Sequence, residues 1–164
     1  MKTRIPLLLI AGVLAGCSSG PARTPDAPVP ETPARSNKRV DVPETHASGA
    51  STVDGYKRDL ALRISQRNAD KVYPGRPQAL LRSVVVLRYA VDASGNIVRS
   101  EIMRSNRDRE TESTALATLR NSAPFPRPAS HLLKRGQLEV SETWLFNNDG
   151  RFQLRTIAQP QMDH

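Results

Sequence analysis

The chain is poor in the residues that staple a fold or cross a membrane. Of its 164 residues one is cysteine, which excludes a disulfide-stapled mini-domain. Aromatic residues make up 4% and glycine supplies only nine residues, which excludes the glycine-every-third pattern of a collagen-like fibre. No apolar run reaches the roughly 20 residues a spanning helix needs, so a multi-span membrane protein is excluded too. Positive charge, by contrast, is plentiful: 24 Lys and Arg stand against 16 Asp and Glu, a formal +8 at neutral pH. The length suits one domain with a tail, and the composition changes sharply along it.

Lys2 and Arg4 precede a short apolar run over residues 5–16 that contains Pro6. A short positive region followed by a short apolar one is the pattern of a cleavable secretory signal. Leu14-Ala15-Gly16-Cys17 resembles the lipobox of bacterial lipoproteins. The resemblance implies cleavage between Gly16 and Cys17, a diacylglyceryl group on the Cys17 thiol and a further acyl chain on its freed amine. A thiol is the nucleophile that such alkylation requires. Two or three acyl chains, each buried methylene contributing about 0.8 kcal/mol, anchor a protein durably. An Asp after the cysteine signals inner-membrane retention in many such proteins. Ser18 stands there, which implies the outer membrane, facing the periplasm.

Residues 17–51 are expected to form the lipidated cysteine and a disordered linker. Beyond Cys17 they hold prolines but no Leu, Ile or aromatic residue, and too little apolar surface to offset chain entropy. The linker's charges cancel, Arg23, Arg35, Lys38 and Arg39 against Asp26, Glu31, Asp41 and Glu44. Removal of Lys2 and Arg4 with the signal therefore leaves the positive balance entirely beyond residue 51. No nucleic-acid-binding motif accompanies that charge, so no nucleic-acid partner is expected. Weak attraction to anionic lipid or cell-wall polymer fits an exported basic domain better.

Residues 52–158 read as that domain, with 159–164 a disordered tail. Tyr56, Leu60 and Ile64 recur at helical spacing in a helix over 54–69, with Asp54 as a candidate N-cap. SVVVLRYAVD, residues 83–92, is dense in β-branched side chains and reads as a strand buried on much of both faces. Ser94-Gly95 turns the chain into a second strand over 97–104. A two- or four-residue loop pairs Val91 with Val98 and Leu87 with Ile102, and is preferred over a three-residue loop that would set Tyr89 against Arg99.

Asp108 is a candidate cap for a second helix to about Ser122, with Glu110 and Glu112 in its first turn and Ala115, Leu116, Leu119 and Ala123 as its apolar stripe. A third strand over 138–147 alternates Leu138, Val140, Trp144 and Phe146 on one face, interrupted by Glu142. Asn148-Asp149-Gly150 leads into a fourth strand over 152–157, pairing Phe146 with Phe152 and Trp144 with Leu154. Arg151, Gln153 and Arg155 are expected on its outer face. A right-handed split crossover gives an α+β fold: two layers, an antiparallel sheet of order 2-1-3-4 packed against two helices.

Three stretches carry a resemblance to a family: Tyr73-Pro74; SVVVLRYAVDASGNIVRSEIMRS over 83–105; and STALATLRNSAPFPRP over 113–128. Together they resemble the C-terminal domain of the TonB family, including its TolA-like relatives, over residues 53–147. The resemblance implies a two-layer domain that receives a partner peptide as an added strand, with outer-membrane transporters as usual partners. Ser83 replaces a common glycine of that pattern, and Asn106 stands where Ser or Gly is usual. The fourth strand occupies the edge that members often leave free. Family members that transduce energy begin with a membrane-spanning helix carrying a histidine, whereas the apolar run here is short and lacks one.

Enzymatic constellations are missing from the sequence. His46, His131 and His164 have no partners at metal-ligand spacing, and no HExxH, CxxC, GxSxG or glycine-rich phosphate loop occurs. Glu139 and Glu142 lie three apart on a strand, hence on opposite faces. The expectation is a non-catalytic envelope lipoprotein with no cofactor, no metal and no small-molecule substrate, binding an envelope protein or outer-membrane transporter. Arg104, Arg107 and Trp144 are its candidate partner-binding residues, on a helix face or loop rather than the fourth-strand edge. An energy transducer or accessory part of a TonB-type transport system is the second reading, and a tether between membrane and cell wall the third.

Overall fold

In a computed structural model that describes residues 46–162, Thr52 rather than Asp54 caps the first helix. Its hydroxyl accepts from the Gly55 N–H at 3.1 Å, so helix α1 spans Val53–Arg67 and Asp54 lies inside the positive first turn. Tyr56, Leu60, Ala61 and Ile64 are its buried stripe. The helix ends earlier than the expected residue 69 because the Asn68 side chain is captured elsewhere. Its Nδ2 donates to the Ile64 carbonyl, to the Thr118 carbonyl and to Ser122 Oγ, at 2.8, 3.2 and 3.1 Å.

Strands β1 (Ser83–Asp92) and β2 (Ile97–Arg104) are followed by helix α2 (Arg109–Asn121), then β3 (Gln137–Phe146) and β4 (Phe152–Leu154). The fold is α+β, with a four-stranded antiparallel sheet ordered β2-β1-β3-β4 beside two helices. Val85, Leu87, Tyr89 and Val91 of β1 face the helices, opposite Trp144, Glu142, Val140 and Leu138 of β3, and form one core with the α1 and α2 stripes. Asp108 caps α2 by accepting from the N–H groups of Glu110 and Thr111.

The β1–β2 turn departs from expectation. The Asp92 N–H donates to the Asn96 carbonyl at 3.0 Å and the Gly95 N–H to the Asp92 carbonyl at 3.1 Å, so the loop has three residues, with Gly95 at φ 88°. Val91 accordingly pairs with Ile97, not Val98. A register shift between Ala90 and Val91 takes up the extra residue, so Tyr89 meets Ser100 and Leu87 meets Ile102. The β3–β4 hairpin matches expectation: Gly150 has φ 80°, Phe146 pairs with Phe152 and Trp144 with Leu154.

Strand β4 stops three residues short of the expected end. The buried Glu142 carboxylate accepts from the Thr143 N–H at 2.7 Å and the Thr156 N–H at 3.4 Å, and the Ile157 and Ala158 N–H groups return to the Leu154 carbonyl. The chain therefore curls over Glu142 instead of extending. Gln153 is buried rather than outward-facing, its amide donating to the carbonyls of Tyr73 and Gly75. The Tyr73 N–H donates to the Phe152 carbonyl at 2.9 Å and Val72 bridges Phe152, so β4's outer edge is already covered.

Both boundaries of the domain lie wider than residues 52–158. The Ser48 N–H donates to the Arg127 carbonyl and the Arg127 N–H to the His46 carbonyl, so packing starts within the stretch read as linker. At the other end Arg76 donates to the carbonyls of Pro160 and Gln161, and the Met162 N–H to that of Pro77. The expected signal and most of the expected linker lie outside the described residues.

Burial pushes the Glu142 carboxyl above its ordinary range, with the Thr156 hydroxyl and the Thr143 and Thr156 N–H groups partly opposing it. An acid whose folded value is raised penalises the fold when ionised. Its relative stabilisation is full below the ordinary carboxyl value and is lost as pH rises through the raised one. Glu142→Gln keeps an acceptor oxygen without the charge. The variant should exceed the wild type in urea stability at pH 7, and its advantage should shrink as pH falls through the raised carboxyl value toward the ordinary carboxyl range. An advantage independent of pH would show that ionisation of Glu142 is not its source.

Candidate partner-binding surface

Strand β2 delivers Arg104 to the sheet's end, and residues 105–108 carry the chain from there to α2. That connection is held by short polar contacts. Ser83 Oγ donates to Asn106 Oδ1 at 2.6 Å, Asn106 Nδ2 donates to the Arg82 carbonyl at 3.0 Å, and Thr111 Oγ1 lies 2.9 Å from Ser83 Oγ. Ser105 Oγ accepts from the Arg107 N–H at 2.9 Å and itself bonds the Glu112 carboxylate. Arg107 sits at φ 65°, a left-handed conformation that a bulky side chain adopts only where surrounding contacts impose it.

Arg82 closes the same corner from the β1 side. Its guanidinium reaches Asp108 at 2.9 Å and Glu110 at 2.6 Å, and those two carboxylates hold it more firmly protonated. At Asp108 partial desolvation acts to raise the carboxyl. The Thr111 N–H, the Arg82 guanidinium and the Glu110 N–H outweigh it, and the carboxyl lies below its ordinary value. The acids at the start of α2 are thus occupied by Arg82 and the helix end.

Arg104, Arg107 and Arg109 are exposed, and among the described residues none of them has a carboxylate within ion-pair distance. Beside them lies an open groove of about 260 Å³ lined by Leu81, Arg82, Ser83, Val84, Arg104, Ser105 and Asn106. A groove lined by apolar Leu81 and Val84 together with the unpaired Arg104 guanidinium suits an acidic segment with an apolar anchor.

The structure thus brings Arg104 and Arg107 to one corner, but not Trp144. Trp144 has no solvent exposure, and its indole N–H donates to Thr118 Oγ1 at 3.1 Å beneath α2. An alternating strand pattern turns such a residue inward as readily as outward, and here the core claims it. Gly16 and Cys17 lie outside the described residues. Sequence reasoning missed Arg82, Arg109 and the Ser83–Asn106 contact. Ser83 and Asn106 each stood out in the sequence as departures from one pattern, and they prove to be hydrogen-bonded to each other. Comparison of the chain with protein-family models, with curated proteins and with solved structures found no match.

Proposed function

We propose that this chain is a non-catalytic cell-envelope lipoprotein, anchored through Cys17, whose TonB C-terminal-like domain binds another envelope protein from the periplasmic side. The observation that carries the binding role is the cluster of exposed, unpaired Arg104, Arg107 and Arg109 beside the groove lined by Leu81 and Val84. The anchoring role rests on Leu14-Ala15-Gly16-Cys17 and the proline-bearing stretch after it. The coverage of β4 by residues 72–73 supports a contact surface other than that edge. An outer-membrane transporter is the partner class that the resemblance favours.

One experiment in whole cells tests both roles. A photo-crosslinking residue at Arg104 or Arg107 should capture a protein partner, whereas one at Phe152 or Leu154 should capture none. Fatty-acid-analogue labelling should be lost in Cys17→Ala, together with most of the membrane-associated crosslink. Equal labelling of Cys17→Ala would end the lipoprotein reading. Crosslinks concentrated at Phe152 and Leu154 would place the partner on the β4 edge instead.

A further inference from the structure

One edge of the sheet is sealed and the other is open. Residues 72–75 cover β4, but the only strand paired with β2 among the described residues is β1. Six of the eight β2 residues are exposed, among them Val98 at 49% and Met103 at 46%. Such an edge offers a row of backbone donors and acceptors to another strand.

Its side chains restrict what can pair there. Ser100 and Ile102 lie opposite Tyr89 and Leu87 and so point to the helix side, whereas Arg99 and Glu101 lie opposite Ala90 and Arg88 on the open face. Arg88 bridges Glu101 at 3.4 Å and Glu139 at 3.9 Å, and Arg99 also pairs with Glu139. Arg99 and Glu101 end this chain of alternating charges, each with one partner, and their side chains are the most exposed of the four, at 60% and 56%.

We propose that the β2 edge seats β2 of a second copy of this chain, antiparallel, about a two-fold axis at Ser100. That register sets Arg99 against Glu101 of the other copy twice, on the open face. Val98 and Met103, the extra residues where the β1–β2 register shifts, bound this paired segment. A register centred on Arg99 or on Glu101 brings like charges face to face, and one displaced by a single residue puts side chains on the wrong faces. The charges therefore select one isologous, closed pairing and oppose slipped ones. The product is an eight-stranded sheet with all four helices on one side. Arg104 is the last residue of β2 and adjoins the paired segment, whereas Arg107 and Arg109 lie beyond it.

The test uses the full chain in its membrane. Directly opposed residues of antiparallel strands have Cα atoms about 4.5 to 5.5 Å apart, within the span of a disulfide. Ser100→Cys should therefore yield a covalent dimer on mild oxidation. Val98→Cys, about four residues from its own copy along the strand, should not, and neither should the wild type with its native Cys17. Arg99→Glu or Glu101→Arg in the Ser100→Cys chain should cut that dimer roughly tenfold, and the two reversals combined should restore it. The restoration separates pairing from misfolding. A Ser100→Cys chain that stays monomeric, that links instead to a different protein, or whose dimer is indifferent to the charge reversals would overturn the proposal.

Discussion

Gly95→Ala is expected to destabilise the domain by about 4 kcal/mol, near the top of the range for single substitutions. Two costs combine at this position. Gly95 has φ 88°, where an alanine is strained by about 1 kcal/mol. An added Cβ would also stand 2.0 Å from the Phe125 carbonyl oxygen and 3.0 Å from its carbon. The obstacle is backbone, so no rotamer change relieves it. It is also held in place, because the Phe125 N–H donates to the Gly95 carbonyl at 2.8 Å and the buried Phe125 ring stacks near Tyr89 at 6.3 Å. Relief requires parting the β1–β2 turn from the segment after α2. Gly150→Ala is the comparison: φ is 80°, but the nearest atom is Arg82 Nη1 at 3.6 Å, so about 1 kcal/mol is expected. Urea unfolding of the two variants measures the difference, and comparable losses would rule out the close approach as the cause.

That contact illustrates where sequence reasoning reached and where it stopped. The bounds of β1 and β2 were legible because β-branched density ends at turn residues, and Asp108 because an acid precedes a polar first turn and an apolar stripe. The β3–β4 register was legible because one pairing stacks four large side chains. The β1–β2 turn was not. Parity of facing residues argued against a three-residue loop, and parity carries no trace of a bulge that corrects it. The length of β4 was hidden for a similar reason, since Glu142 and Gln153 act through partners on distant segments.

The surface divides in the same way. Arginines near the end of β2 can be read as charge, but which of them lack a partner depends on folded geometry. Arg82 is consumed by Asp108 and Glu110, while Arg104, Arg107 and Arg109 are not. The Ser83–Asn106 contact joins positions far apart in sequence, and only the return of β2 beside β1 brings them together.

Trp144→Ala should lower unfolding free energy by about 3–5 kcal/mol, as expected for deleting a large buried ring. The side chain is fully enclosed, packs against Phe152 with ring centres 6.5 Å apart, and lies opposite Val85 and Leu154 on the neighbouring strands. Its N–H meets Thr118 Oγ1, which donates onward to the Thr114 or Ala115 carbonyl at 2.9 or 3.0 Å, tying β3 to the C-terminal half of α2. Trp144→Phe retains most of the apolar contact and loses that bond, so about 1–2 kcal/mol is expected. The pair of variants separates a core residue from a binding residue. With folding verified by circular dichroism, crosslinking of Trp144→Phe through Arg104 should match the wild type, because a ring beneath α2 cannot touch a partner at the surface. A stable Trp144→Phe chain that lost its partner would instead show that the indole is exposed during binding, and that α2 lifts from the sheet to expose it.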